Sequence, residues 1–359
     1  MSRYRRSLGW AFRQGINHIA QGISCRYDVP WCRPAKIIFC LTLRCNLRCK
    51  MCGIWKSPKT TELSLEEWKS VIIKLKEWLG PFRVQLAGGE IFIRDDIFDL
   101  ITFAAENNVL AGVVSNGTML EGEKAERLID TGLGYFDVSL DGINPETHDY
   151  IRGTKGVHEK ALSVIRRVNE LRKRKGSNLV MYAPVIVCGY NMNELIALVH
   201  FVENEGLDAV MFNPLGPACD ADTRWWEKSD LWPKKADLDK LNRIIDRLIS
   251  MKMEGARIIN SVDQLHAMKA YFVDPSLRSA DNCMVGMTNF LLSADGNIHL
   301  CFKMPPIGNH ADTFAEVWAL KRAQEVRMRI KGCTYECSPG NLPYRRNLAQ
   351  EIRRYLSFK

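Results

Sequence analysis

From residue 36 onward, short apolar runs alternate with stretches of helical period. Ile37–Leu41, Phe82–Ala87, Leu110–Val114, Tyr135–Leu140, Leu179–Val187 and Ala209–Phe212 read as strands. Between them, the 3.6-residue period predicts helices over Leu65–Leu79, Asp96–Glu106, Glu123–Asp130, Val157–Lys173 and Met192–Glu205. Ser64 and Glu67 are spaced as a capping box for the first of these. A helix over Leu238–Met251 and a short strand over Arg257–Ile259 follow. Strand and helix repeating in this way predict βα units around a parallel sheet, either open or curled into a partial (β/α)6 barrel. Cys45, Gly88, Asn116, Asp141 and Asn213 come just after the strands. That end of the strands is where β/α folds place their chemistry.

The pattern changes after residue 270. Phe290–Ser293 and Asn297–Leu300 flank Ala294-Asp295-Gly296, a hairpin signal with Asp-Gly at the turn. Helices are expected over 313–330 and 348–356. Leu8–Ile23 can form a helix with Trp10, Phe12, Ile16 and Ile19 among basic residues. Such a helix packs on the fold or meets a membrane surface or a partner. The chain thus divides into a basic helical extension (1–35), an α/β barrel-like region (36–262), a small α+β region (263–340) and a basic tail (341–359).

Composition narrows the class. With 46% hydrophobic and 25% charged residues over 359 positions, the chain is neither disordered, collagenous nor a pure coiled coil. The net charge is +9, and the excess lies at the ends: residues 1–36 carry +6 and 321–359 carry +7. Such ends form solvated faces or attract phosphate, nucleic acid or anionic lipid, although no RNP, KH or zinc-finger pattern occurs. No apolar run follows Met1-Ser2-Arg3, so a signal peptide is not expected. The long uncharged stretch from Gly176 to Asn193 contains Pro184 and polar residues, too broken for a spanning helix. A cytoplasmic location is expected, where cysteines hold metal more often than they form disulfides.

That point matters because the chain has 12 cysteines. Cys45, Cys49 and Cys52 follow the first strand in a C-x3-C-x2-C run. Soft thiolates select zinc, copper(I) or iron–sulfur. Zinc requires a fourth ligand, and the spacing differs from the paired C-x2-C of zinc fingers. Three ligands to a four-iron cluster leave one iron open. The run, in this position, resembles the signature of the radical S-adenosylmethionine (SAM) superfamily. Gly88-Gly89-Glu90 after the second strand resembles that family's GGE motif. Ser115-Asn116-Gly117 and Ser139-Leu140-Asp141-Gly142 resemble its SNG and SLDG segments, and Arg152 also recurs in relatives. The resemblance covers residues 36 to about 215. It implies that Cys45, Cys49 and Cys52 hold a [4Fe–4S] cluster whose open iron chelates SAM. Reductive cleavage then gives a 5′-deoxyadenosyl radical that abstracts a hydrogen atom. By the same resemblance Met51 packs near the adenine. Gly88 and Gly89 let backbone approach the ligand, and Glu90 with the local backbone meets the SAM ammonium. Ser115, Asn116, Ser139 and Asp141 meet its carboxylate or ribose, and Arg152 pairs with the carboxylate.

Cys283, Cys301, Cys333 and Cys337 form a second set. Cys283-x12-Gly296-x4-Cys301 is similar to the element that begins the SPASM and twitch extensions of this superfamily, and Asn309 with Phe314–Trp318 is similar to the helix there. No cysteine follows Cys337, which implies the shorter twitch type with one auxiliary [4Fe–4S] cluster. A structural zinc site, or one cysteine left out, are the alternatives. Of the remaining five, Cys25, Cys32 and Cys40 read as packing or surface residues. Cys188 and Cys219, near the ends of the fifth and sixth strands, are candidate hydrogen-atom donors or buried small residues.

Some 35 residues precede the first strand, too few for a fused leader-binding domain. The expected substrate is therefore a sugar, nucleoside or aminocyclitol-like small molecule, with an alcohol oxidised and a flavodoxin or ferredoxin supplying electrons. Tyr182, Tyr190, Asn213, Trp225 and Trp226 are candidate substrate contacts, while His266 and His299 read as structural. Redox-neutral epimerisation through Cys188 or Cys219, peptide maturation with a separate leader-binding partner, and nucleic-acid modification are the alternatives.

Overall fold

The computed structural model describes residues 8–58, 60–218, 221, 224–275 and 283–337, with side chains described from residue 15. Six parallel strands alternate with helices, as the apolar pattern predicts. The strands are β1 (Lys36–Cys40), β2 (Arg83–Ala87), β3 (Leu110–Ser115), β4 (Tyr135–Val138), β5 (Val180–Val187) and β6 (Ala209–Pro214). The N-terminal helix α1 is Leu8–Tyr27, followed by α2 (Leu65–Leu79), α3 (Ile97–Glu106), α4 (Glu123–Asp130), α5 (Pro145–Arg152) and α6 (Val157–Arg174). Helices α7 (Leu195–Asn204), α8 (Leu238–Met253) and α9 (Val262–Val273) close the first region. The C-terminal region contains α10 (Val285–Thr288), β7 (Asn289–Leu292), β8 (Asn297–His299), β9 (Gly308–Asn309), α11 (Phe314–Ala319) and α12 (Lys321–Lys331).

The strands form one sheet of order β6-β5-β4-β3-β2-β1-β7-β8-β9, which does not close, so the fold is a partial barrel. The predicted hairpin is present, but it is not a separate unit: β7 pairs in parallel with β1 and carries the antiparallel β8 and β9 outward. Residues 257–259 contribute only an isolated bridge, Val210 with Ile258.

One row of each strand packs under the helices. Phe39 of β1 stacks on Trp68 of α2 with centroids 4.9 Å apart, and both side chains are fully buried. Truncating such an aromatic to alanine costs about 3–5 kcal/mol. The other row is different. Val84 and Leu86 are buried while Arg83, Gln85 and Ala87 are half-buried, and the same alternation runs along Val180–Val187. A closed β/α barrel fills its interior with packed side chains. Here the concave face remains accessible and partly polar.

The predicted helix over 313–330 is broken. Leu320 is extended (ψ 151°) and separates α11 from α12. The break lets the Arg327 guanidinium return to donate to the Trp318 carbonyl at 2.8 Å while lying 4.6 Å from that ring's centroid. Trp318 Nε1 in turn donates to the Cys32 carbonyl at 2.9 Å, and Lys331 pairs with Asp28 at 2.6 Å. Part of the basic excess in the C-terminal segment is therefore consumed in docking the N-terminal extension, a structural use that the charge count does not reveal. On α1, Ile16, Ile19 and Ile23 stay exposed. The tail from residue 341 and its expected helix at 348–356 lie outside the described residues.

Candidate active site

The loop after β1 carries Cys45, Cys49 and Cys52, and three neighbouring segments hold it. From β2, Gly89 and Glu90 donate their N–H groups to the carbonyls of Thr42 (2.8 Å) and Arg44 (2.9 Å). A Cβ at Gly88 would run into the Thr42 carbonyl oxygen, and one at Gly89 into that of Arg44. The two glycines are thus required by the chain's own close approach, which places the cysteine loop. From α5, Ile151 accepts from Lys50 N–H at 3.0 Å, and Gly153, at φ 66°, lies against the Arg48 carbonyl with no room for a side chain. From the loop after β3, the Asn116 amide donates to Asn46 Oδ1 at 2.9 Å, and Asn46 donates to Thr118 Oγ1 at 2.8 Å.

Glu90 is fully buried. Its carboxylate accepts from Ser115 Oγ (2.9 Å), Asn116 N (2.8 Å) and Phe92 N (3.2 Å). Burial pushes its pKa up, and those donors pull it back. Beside the expected contact with the SAM ammonium, this carboxylate has an internal role: Glu90 locks the ends of β2 and β3 together. Arg152, expected to pair with the SAM carboxylate, likewise has internal partners. Its Nε donates to Asp141 Oδ2 at 2.6 Å. Burial opposes its charge, but Asp141 and then Cys49 hold it above its ordinary value. Asp141, fully buried, also accepts from Ile186 N at 2.8 Å. Its own N–H donates to His148 Nδ1 at 3.0 Å. Burial, then Arg152, depress the His148 pKa to about 2, so that ring is a neutral acceptor. Asp141 and Arg152 therefore tie α5 to β5 and to the Cys49 thiol. Ser139 lies beside them, its N–H donating to the Ser115 carbonyl at 3.1 Å.

Cys49 is buried with Leu47 and Val157, and Cys45, Met51 and Cys52 pack against that group. Met51 also packs against Ile151, Cys188, Leu215 and Leu231, so it joins the cysteine loop to the barrel mouth. Burial raises the Cys45 and Cys49 thiols. Cys188, at the end of β5, is fully enclosed, and its Sγ donates to Asn191 Oδ1 at 3.4 Å. Burial pushes that thiol up to about 12, so it stays protonated. Cys219 lies outside the described residues.

Of the candidate substrate contacts, Tyr182 and Asn213 sit on half-buried positions of the concave face. Tyr190 stacks on Tyr150 outside the mouth at 4.0 Å. Trp225 and Trp226 pack edge-on to each other and gather with Trp232. His299 Nδ1 lies 3.1 Å from the Met304 carbonyl, and His266 is exposed on α9.

The second set is assembled from distant segments. Cys283 precedes α10, Cys301 follows β8, and Cys333 and Cys337 follow α12. Burial drives the Cys337 thiol up to about 12, and Cys301, Cys333 and Cys283 push the same way. The four sulfurs thus share one neighbourhood. It adjoins the barrel mouth through Tyr271 of α9, whose hydroxyl donates to the Leu215 carbonyl at 2.9 Å and whose pKa burial raises, Cys337 adding to the effect. Bound iron would reverse this penalty and hold the four sulfurs as thiolates. Both sets present sulfur alone, the donor chemistry an iron–sulfur cluster takes. No three of the described His, Cys, Asp and Glu side chains converge as tightly as a single metal ion requires. A set of four thiolates also suits a structural zinc, the alternative named from the sequence.

Sequence reasoning missed α5, and with it His148 and Gly153, as well as Asn46. Asn46 had a signal, since it lies inside the cysteine run. Among the described residues, no helix is long and apolar enough to cross a membrane.

Residues 39–202 match the model of the Radical SAM superfamily, and residues 283–338 match that of SPASM, an iron–sulfur cluster-binding domain. The Fe-coproporphyrin III synthase of Methanosarcina barkeri is 32% identical over 178 residues, 49% of this chain and 43% of that protein. The sporulation killing factor maturation protein SkfB of Bacillus subtilis is 24% identical over 320 residues, 87% of this chain and 72% of that protein. The chain spans about half the length of the first curated relatives it matches. The fold is shared with Streptococcus suis SuiB bound to S-adenosylmethionine, at TM-score 0.63 and 15% identity, covering 85% of this chain and 69% of that one. These domains imply a [4Fe–4S] cluster, SAM and auxiliary iron–sulfur ligation. The chain therefore carries a radical SAM domain followed by a SPASM domain.

Proposed function

We propose that this enzyme modifies a peptide within the open lumen of its partial barrel. The observation that carries the reading is the juxtaposition of an all-thiol loop with a concave sheet face left accessible beside it. Peptide chemistry is supported by the likeness to SkfB, a maturation protein by name, over 87% of the chain. Oxidation of a sugar alcohol finds no such support. A tetrapyrrole-like small molecule is the second reading, favoured by the 32% identity to Fe-coproporphyrin III synthase.

In this reading Cys45, Cys49 and Cys52 hold the cluster that binds SAM, and Cys283, Cys301, Cys333 and Cys337 hold an auxiliary [4Fe–4S] cluster. When bound, the first cluster and SAM supply a 5′-deoxyadenosyl radical able to abstract a hydrogen atom. The protein's share is placement and exclusion of water. Met51 presses the cysteine loop toward the mouth. Gly88, Gly89, Glu90, Ser115 and Asn116 fix that loop against β2 and β3. Asp141 and Arg152 fix it against α5, and Ser139 faces the lumen. Enclosure of Cys188 disfavours epimerisation through that thiol. A flavodoxin or ferredoxin is the expected electron source.

The test is anaerobic reconstitution with iron and sulfide, followed by turnover with SAM, reductant and short peptides encoded near the gene. Release of 5′-deoxyadenosine with an altered peptide mass is expected. Without 5′-deoxyadenosine the radical reading fails; with it, but with no response to any peptide, the peptide reading fails.

A further inference from the structure

The lumen holds one buried acid that the site described above does not use. Phe136 and Val138 lie in the helix-covered core, so Tyr135, Asp137 and Ser139 face the other way, into the lumen. Asp137 is 8% exposed. Gln85 of β2 reaches past Gly112 of β3, which offers no side chain to block it, and donates from Nε2 to Asp137 Oδ2 at 3.2 Å. The other oxygen, Oδ1, is buried and has no hydrogen-bond partner. Leaving such an acceptor unpaired in a buried place is costly, more so when it is charged. Asp137 forms no ion pair among the described residues, and burial pushes its carboxyl up to about 7, with Gln85 pulling it back. A fold that keeps an acid there at a cost to itself has a ligand to satisfy.

The surroundings indicate which kind. Tyr182 lies in register with Asp137 on the adjacent strand, and its ring stacks with that of Tyr135 at 6.0 Å and 18°. The Tyr135 ring already carries one guanidinium, that of Arg83, at 5.3 Å from its centroid. An acidic acceptor beside stacked aromatic rings is an environment that attracts cations. We propose that Asp137, Gln85 and the Tyr135–Tyr182 pair form a lumen subsite for a cationic nitrogen of the substrate, an ammonium or guanidinium of the kind a basic side chain carries. This rests on the reading of the lumen as the substrate chamber. An incoming cation supplies the donor that Oδ1 lacks, and its charge is met by the carboxylate in a desolvated site. A neutral isostere leaves Oδ1 unpaired and gains only contact with the rings.

The experiment is calorimetric titration of the cluster-reconstituted full chain, saturated with SAM and without reductant. The probes are n-butylammonium, n-butylguanidinium and, as the neutral isostere, butan-1-ol. Both cations are expected to bind saturably and at least about tenfold more tightly than the alcohol. Asp137→Asn should erase that preference while iron content and SAM affinity match the parent. Gln85→Glu, which adds a second carboxylate, should tighten both cations several-fold, and it decides the matter if Asp137→Asn fails to assemble. Equal affinity for cation and alcohol, no saturable binding of either cation, or a preference that survives Asp137→Asn overturns the subsite. So does a loss of SAM affinity in Asp137→Asn, which would assign the carboxylate to the cofactor. Since nothing turns over in these titrations, they succeed or fail independently of whether any peptide is modified.

Discussion

The two cysteine sets solve the same problem in opposite ways. The first is local: eight residues, 45–52, carry three thiols on a loop gripped by β2, the loop after β3 and α5. The second is dispersed: four thiols spread over 283–337 meet only when α10, β8 and α12 have docked. A local site is readable from spacing but depends on its neighbours for position. A dispersed site depends on the whole C-terminal region for its existence.

That contrast can be broken most forcefully at the ligands. Cys45→Ser, Cys49→Ser or Cys52→Ser should abolish 5′-deoxyadenosine release while leaving the auxiliary iron in place; retained SAM cleavage in any of the three would contradict the assignment. Cys301→Ser or Cys337→Ser should do the reverse, losing auxiliary iron by EPR and iron count while SAM cleavage persists, uncoupled from product. Below these in effect comes Gly89→Ala. The added methyl meets the Arg44 carbonyl, so a loss of about 1–3 kcal/mol in denaturant midpoint is expected, with iron lost from the first set only. Asn46→Ala removes the link from the cysteine loop to Asn116 and Thr118. Supporting contacts of this kind are worth about 10–100-fold in activity or metal affinity, and the lower end is expected, read as iron retention under chelator challenge.

A separate effect concerns pH and neither cysteine set. The Asp137 carboxyl sits at about 7 in the fold, against about 3.9 for an ordinary aspartate. The folded chain therefore holds this proton more tightly than the unfolded chain does. Its contribution to stability is complete below about pH 4 and is lost as pH rises through about 7. Melting temperature should fall across that window, and Asp137→Asn should flatten the fall. An unchanged slope in the variant would mean that another group carries the effect.

Legibility follows the same division. Alternating apolar runs gave β1 to β6 nearly to their ends, because a strand covered by helices must be apolar on its buried row. The capping box at Ser64 and Glu67 is present as read. A second one, at Ser261 and Gln264, begins α9 and was there to be read. Helix α5 was missed because its eight residues begin at Pro145 directly after Asn144, a pair that reads as a turn. Glu90 and Arg152 read as ligand contacts in sequence, and the fold adds what the motifs do not announce, their protein partners Ser115, Asn116, Asp141 and Cys49. The break at Leu320 has no local signal, since it is set by Arg327 folding back onto Trp318. Nor does any short-range pattern announce that β7 would lie beside β1.

That last pairing bears on how the chain is made. Strand β1 leaves the ribosome roughly 250 residues before β7, on the order of tens of seconds at ordinary rates of synthesis. Throughout that interval β1 has β2 on one side and bare backbone on the other, an edge open to pairing with another chain. The strand that leads into Cys45 is thus complete in its sheet only after the last quarter of the protein has arrived.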